Sequence, residues 1–130
     1  MLDKDQFIYF LDHEVKRAHR YQNFFCLLTL KFQVLSDDFK DGLKVHYQRI
    51  RDLIVEEARE SDLIGLLDEN RIAIFLPYAS SVEGDQAKSR LEDILKYHDS
   101  ENKGYKVMIQ NICFPIDGTY TAGILEKAGL

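Results

Sequence analysis

Two apolar runs, Leu63 to Leu67 and Ile72 to Leu76, are separated by only four polar residues, Asp68-Glu69-Asn70-Arg71. Runs this short suit buried strands better than helices. A connection of this length lets two strands pair only antiparallel, as a hairpin. On one side of the hairpin, Leu43, Tyr47, Ile50, Ile54 and Ala58 recur at helical spacing and predict a helix ending near Arg59. On the other, Ser80-x-x-Glu83 is a capping box, and Ala87, Leu91 and Leu95 mark a helix running to about Tyr97. A hairpin held between two one-faced helices must bury those faces on a sheet, so the chain is an α+β layered fold.

Outside this centre, "FFCLLTLKF" (Phe24 to Phe32) reads as a buried strand broken only by Lys31, and "YKVMIQNICF" (Tyr105 to Phe114) as a further strand. Asp3-Lys4-Asp5-Gln6 has the residue types of a capping box. Phe7, Leu11, Val15 and Ala18 then predict a first helix to about Tyr21. "VLSDDFKDG" and "HDSENKG" are polar loops and "PIDG" is a turn. The core order of strand, helix, strand, strand, helix, strand is the ferredoxin-like split βαβ arrangement (βαββαβ): an antiparallel sheet with helices on one face. An extra N-terminal helix precedes it and the start of a C-terminal helix follows, from Thr121 to Leu130. That last helix ends with the chain after barely three turns, which fits a single domain over residues 1–130 excised from, or truncated relative to, a longer chain. In this topology the first core strand lies beside the third, so Lys31 and Arg71 should face the same spot.

At 130 residues and 45% hydrophobic, the chain buries roughly two thirds of its unfolded surface without staples. A net charge of −5 and a pI near 5.3 argue against a nucleic-acid polymer or an anionic membrane as partner, since both need a broad basic face. Cys26 and Cys113 each sit in an apolar run and read as core thiols, which favours a reducing, cytoplasmic setting. No signal peptide is evident, and no apolar stretch reaches the roughly 18 residues of a membrane span. Neither a G-x-G-x-x-G nor a phosphate-binding P-loop pattern occurs. His13, His19, His46 and His98 lack metal-site spacing. No serine or cysteine is set in a nucleophile motif. Lys16, Arg17 and Arg20 close the first helix, where cations complement its dipole.

The stretches "RESDLIGLLDENRIAIFLP" (Arg59 to Pro77), "EVKRAHRYQNFFCLLTL" (Glu14 to Leu30) and "VMIQNICFPIDG" with "ILEKAGL" resemble a GGDEF domain, the diguanylate cyclase family. The resemblance spans nearly the whole chain and is tightest around the hairpin. In that family the turn reads Gly-Gly-(Asp or Glu)-Glu-Phe, its glycines letting backbone approach nucleotide and its acids holding magnesium. Here those five places hold Asp68, Glu69, Asn70, Arg71 and Ile72. The resemblance puts the family's metal-binding glutamate at Arg71 and its metal-binding aspartate at Lys31. Magnesium takes oxygen ligands, and these two side chains offer only donors. The loop "VLSDDFKDGLKV" also lacks the family's guanine-seating pattern and is shorter by about one helical turn. Phosphoryl transfer depends on metals and positioning, so the resemblance implies a degenerate domain without catalytic residues, bound metal or cofactor.

One family element is retained. Arg59-Glu60-Ser61-Asp62 matches the R-x-x-D of the inhibitory site that binds cyclic di-GMP, and Arg90 falls where relatives often supply a second arginine. The residue types suit the ligand, because an arginine fork matches guanine O6 and N7 while a carboxylate accepts from its N1–H and amino group. Alternatively, Arg59 and Asp62 form only a surface ion pair, and Lys31 with Arg71 captures an anion without metal. Three functions follow: a catalytically inactive cyclic di-GMP receptor acting on a protein partner or neighbouring domain; a ligand-free interaction or dimerisation domain; and an active cyclase with a rebuilt site.

Overall fold

Asp3 starts the first helix as the sequence predicts. Its side chain accepts from the Gln6 N–H at 2.8 Å while Gln6 Oε1 accepts from the Asp3 N–H at 3.0 Å, satisfying donors that a helix start leaves orphaned. The computed structural model describes residues 1–35, 43–98 and 104–130. Most of the two polar loops, including the shortened one after the first core strand, therefore lies outside the described residues. In chain order the elements are β1 (Leu2–Asp3), α1 (Lys4–Tyr21), β2 (Phe25–Val34), α2 (Leu43–Glu57), β3 (Leu63–Asp68), β4 (Arg71–Pro77), α3 (Ser81–His98), β5 (Tyr105–Phe114) and α4 (Thr121–Lys127).

The sheet order is β1-β3-β4-β2-β5. Its four longer strands pair antiparallel in the ferredoxin-like order, with β2 between β4 and β5. The short β1 adds a parallel pair, Leu2 opposite Gly65 and Asp3 opposite Leu66, so the sheet is mixed rather than purely antiparallel. Period-two alternation along the central strands sends side chains to two separate cores. Leu28, Leu30 and Phe32 of β2 pack with Ile50 and Ile54 of α2 and Leu91 and Leu95 of α3. Phe25 and Leu27 pack with Phe7, Leu11 and Val15 of α1 and Ile124 of α4.

Helices thus cover both faces, where the core motif alone put them on one. The outer helices α1 and α4 bury what would otherwise be the sheet's open apolar side. Phe7, Leu11 and Val15 are at most 2% exposed, each such side chain contributing about 1.5–3 kcal/mol. The last helix ends at Lys127, short of the Leu130 read from the sequence, and Gly129 takes a left-handed φ of 74° just beyond it, the usual way a helix is ended. Cys26 and Cys113 are free, buried, and register partners across β2 and β5. Burial pushes both thiols up, which keeps them in the unreactive protonated form.

Candidate functional site

The Arg59–Asp62 segment links α2 to β3 as a tight turn. The Asp62 N–H donates to the Arg59 carbonyl at 3.0 Å, and the Arg59 N–H donates to Asp62 Oδ2 at 2.9 Å. The turn is therefore closed through the Arg59 backbone, once to the Asp62 backbone and once to its carboxylate. A guanidinium–carboxylate ion pair between them is absent among the described residues, so the surface-pair alternative is not what the structure adopts. Closing the turn through the Arg59 backbone leaves its side chain free to point elsewhere and keeps Asp62 Oδ1 available as an acceptor.

At the far side of this turn Ser80 starts α3. Ser80 N–H donates to Glu83 Oε1 at 3.1 Å and Glu83 N–H donates to Ser80 Oγ at 3.2 Å, the capping box read from the sequence. Two turns on, the same helix face carries Arg90. Arg59, Asp62 and Arg90 all line one groove of about 290 Å3, together with Tyr78, Glu83 and Gln86. The Ser80 backbone and hydroxyl, and more weakly the Arg59 charge, hold the Glu83 carboxyl below its ordinary range. With two guanidinium groups and two carboxylates the groove has no large net field. Its selectivity would come from directional hydrogen bonds, the kind that read a base edge. Sequence reading missed Tyr78, Glu83 and Gln86. Glu83 carried a visible signal only as a cap, and Tyr78 and Gln86 carried none.

The hairpin lies at the other end of β3, roughly 20 Å away at strand rise. Here Lys31 and Arg71 are register partners across β2 and β4, as the topology predicted. Arg71, however, turns back on the hairpin: its Nε and a terminal nitrogen reach Asp68 Oδ2 at 2.7 and 2.6 Å, and its other nitrogen donates to the Gly129 carbonyl. Asn70 N–H donates to Asp68 Oδ1 at 3.0 Å, Phe32 N–H to the Asn70 carbonyl at 2.8 Å, and Tyr47 Oη–H to the Asp68 carbonyl at 3.2 Å. Partial burial pushes the Asp68 carboxyl up, but the Arg71 and Asn70 hydrogen bonds and nearby cations outweigh it and hold the group below its ordinary range.

The turn manages without glycine because neither Glu69 nor Asn70 has a positive φ. The register instead shifts between Leu66 and Asp68, a bulge that absorbs the extra residue. Ile72 is fully buried in the core rather than part of a site. The residues present do not fit a magnesium ion: the two register positions carry cations, Asp68 is clamped by Arg71, and the neighbouring Glu69 alone cannot make a metal site. Among the described residues no group of three His, Cys, Asp or Glu side chains could hold a metal, and no helix is long and apolar enough to cross a membrane.

This sheet order, with helices on both faces and the split βαβ core, is the fold of GGDEF domains. The sequence matches no protein-family model and no curated protein sequence; the likeness is carried by structure. A DGC protein from Thermotoga maritima superposes with a TM-score of 0.82 at 16% identity, covering 99% of this chain and 93% of that one. The GGDEF domain of FimX from Pseudomonas aeruginosa gives 0.83 at 12% identity over 98% and 83%. The GGDEF domain of DgcB from Caulobacter crescentus, solved in complex with c-di-GMP, gives 0.73 at 14% identity over 98% and 78%.

Proposed function

We propose that this chain is a catalytically inactive GGDEF-type signalling domain that binds cyclic di-GMP through Arg59, Asp62 and Arg90 and passes the signal to a protein partner or neighbouring domain. The observation that carries the reading is the convergence of these three residues on one groove, with the Arg59–Asp62 turn closed through the Arg59 backbone rather than through its guanidinium. The Arg59 fork meets the O6 and N7 edge of a guanine, Asp62 Oδ1 accepts from its N1–H or amino group, and Arg90 serves a phosphate or the second base. The complex of a structurally similar domain with c-di-GMP supports the choice of ligand. Turnover is left out because the hairpin presents Lys31 and a clamped Arg71 where metal chemistry needs oxygen ligands.

Calorimetric titration with cyclic di-GMP tests the reading. Saturation at 100 times Kd should add about 2.7 kcal/mol to stability, and Arg59→Ala should abolish the heat while leaving the apo Tm within about a degree, as exposed substitutions do. Absence of heat from the parent chain would leave the ligand-free interaction module in its place. Incubation with GTP and magnesium should yield no cyclic di-GMP; accumulation of product would overturn the inactive assignment.

A further inference from the structure

The sheet ends on β1 at one edge and on β5 at the other, and the two edges are built differently. The first is blunted by a strand of two residues, Leu2–Asp3. β5 is ten residues long and pairs with β2 in unbroken register from Tyr105 to Phe114, with no proline, no bulge and a single charge, Lys106. Folded chains normally blunt a long flat edge with charges, proline or a bulge, because its unpaired backbone groups template a further strand. Among the described residues no strand takes up the outer side of β5.

Hydrogen bonds at the two ends of β5 fix which backbone groups face outward. The Cys113 N–H donates to Asp117 Oδ2 at 2.8 Å and the Asp117 N–H donates to the Cys113 carbonyl at 2.7 Å. Cys113 therefore turns its backbone groups away from β2, into the turn that follows the strand. At the other end the Leu35 N–H donates to the Gly104 carbonyl at 2.8 Å, which sets the even-numbered positions toward β2. Alternation along the strand then sends the N–H and carbonyl groups of Val107, Ile109 and Asn111 outward. The Asp117 turn caps the edge at Cys113 and stops short of this central stretch. Beside it Met108 is 43% exposed, a large apolar side chain for an open sheet face.

We infer that β5 is a docking edge for a second copy of this chain, the two β5 strands pairing antiparallel about a two-fold axis at Ile109 to make one continuous sheet. With the axis there, Ile109 faces its own counterpart and Val107 faces Asn111 of the second copy, each pair exchanging both N–H···O bonds. Between them Met108 meets Gln110 of the second copy on the sheet face that carries α1 and α4, a cross-strand pair that covers the exposed thioether. Charge selects the same arrangement. Lys106 stands at the start of the strand, whereas its end carries Asp85, which accepts from Asn111 Nδ2 at 2.9 Å, and Asp117, which also lies 4.0 Å from Lys127. Antiparallel pairing sets the basic end of one copy beside the acidic end of the other; parallel pairing would set like beside like. The edge shares no residue with the groove lined by Arg59, Asp62 and Arg90, so this interface goes beyond the ligand reading and does not depend on it.

Sedimentation equilibrium and amide hydrogen exchange on the parent chain test the pairing, over a concentration series up to about 1 mM, where even a dimer with a Kd near that value is populated. A concentration-dependent dimer is expected. As it forms, exchange should slow at the Val107, Ile109 and Asn111 amides, while the Met108 and Gln110 amides, bonded to β2, stay protected at every concentration. Ile109→Pro removes an outward donor and no bond to β2, and should raise the dimer Kd about 10-fold or more. Lys106→Glu sets acid beside acid and should raise it about 2- to 5-fold at a parent-like Tm, since the position is exposed. Should Ile109→Pro fail to fold, Lys106→Glu and the exchange pattern decide. A parent chain that stays monomeric throughout, a dimer whose added protection falls elsewhere than on these three alternate amides, or a dimer indifferent to Lys106→Glu overturns the inference.

Discussion

If the hairpin serves structure and not chemistry, removing the Asp68 charge should cost stability in a pH-dependent way and leave the ligand groove untouched. In Asp68→Asn the Asn70 N–H keeps an acceptor, but both Arg71 contacts, at 2.7 and 2.6 Å, lose their charge. The side chains are 20% and 36% exposed. Hydrogen bonds to a charged group contribute about 1.5–3 kcal/mol and exposed ion pairs about 0–1. Discounting for solvent screening places this clamp at about 1–2 kcal/mol. For a chain of 130 residues, an unfolding entropy of about 0.27 kcal/mol/K converts that to a Tm loss of about 4–7 °C.

The folded-state pKa of Asp68 is lowered, so the stabilisation is fully present above the unfolded value near pH 3.9 and is lost as pH falls through the folded value. Thermal melts of parent and Asp68→Asn should therefore differ at pH 7 and converge toward pH 3. A double variant with Arg71→Met should cost less than the two single losses together, since one contact is removed twice. Fully additive losses, or a gap that persists unchanged at pH 3, would refute the clamp. Loss of cyclic di-GMP binding in Asp68→Asn would refute the separation of hairpin from groove.

Gly65→Ala should lower the Tm by about 4–11 °C, equivalent to about 1–3 kcal/mol of overpacking, because an added Cβ meets Phe7 Cδ2 at 2.4 Å and that ring is fully buried; a melt at the parent temperature would show that α1 can shift away from the sheet. Ser80→Ala removes the hydroxyl that accepts from Glu83 N–H and should cost about 1 kcal/mol. It should also let the Glu83 carboxyl titrate nearer its ordinary range, followed by NMR, and an unmoved Glu83 titration would contradict the capping geometry.

Much of the architecture was legible because its causes are local. The apolar periods of α1, α2 and α3, the two capping boxes at Asp3 and Ser80, and the hairpin spacing each act within a few residues. Their order then leaves few topologies, and the register of Lys31 against Arg71 follows from it. Other features were not legible. A two-residue strand such as β1 has no period to read. The extension of β2 past Phe32 to Val34 is stabilised by pairing with β5, and that partner lies more than 70 residues later.

The candidate site divides in the same way. Arg59, Asp62 and Arg90 were all picked out through the family resemblance, yet nothing local says that the three share a groove. Tyr78, whose φ of 57° is left-handed, offered no signal, since such a backbone is expected of glycine or asparagine and not of tyrosine.

By itself the order of residues settled most of the helix and strand segments, which faces are apolar, and that cations stand at Lys31 and Arg71, because backbone propensity and side-chain chemistry travel with the residue. Tertiary structure alone decided that helices cover both faces of the sheet, that Arg71 clamps Asp68 rather than facing solvent, and that Arg59, Asp62 and Arg90 line one groove built from distant segments. Those outcomes depend on which surfaces meet, and contact between segments far apart in the chain is settled only when the core closes.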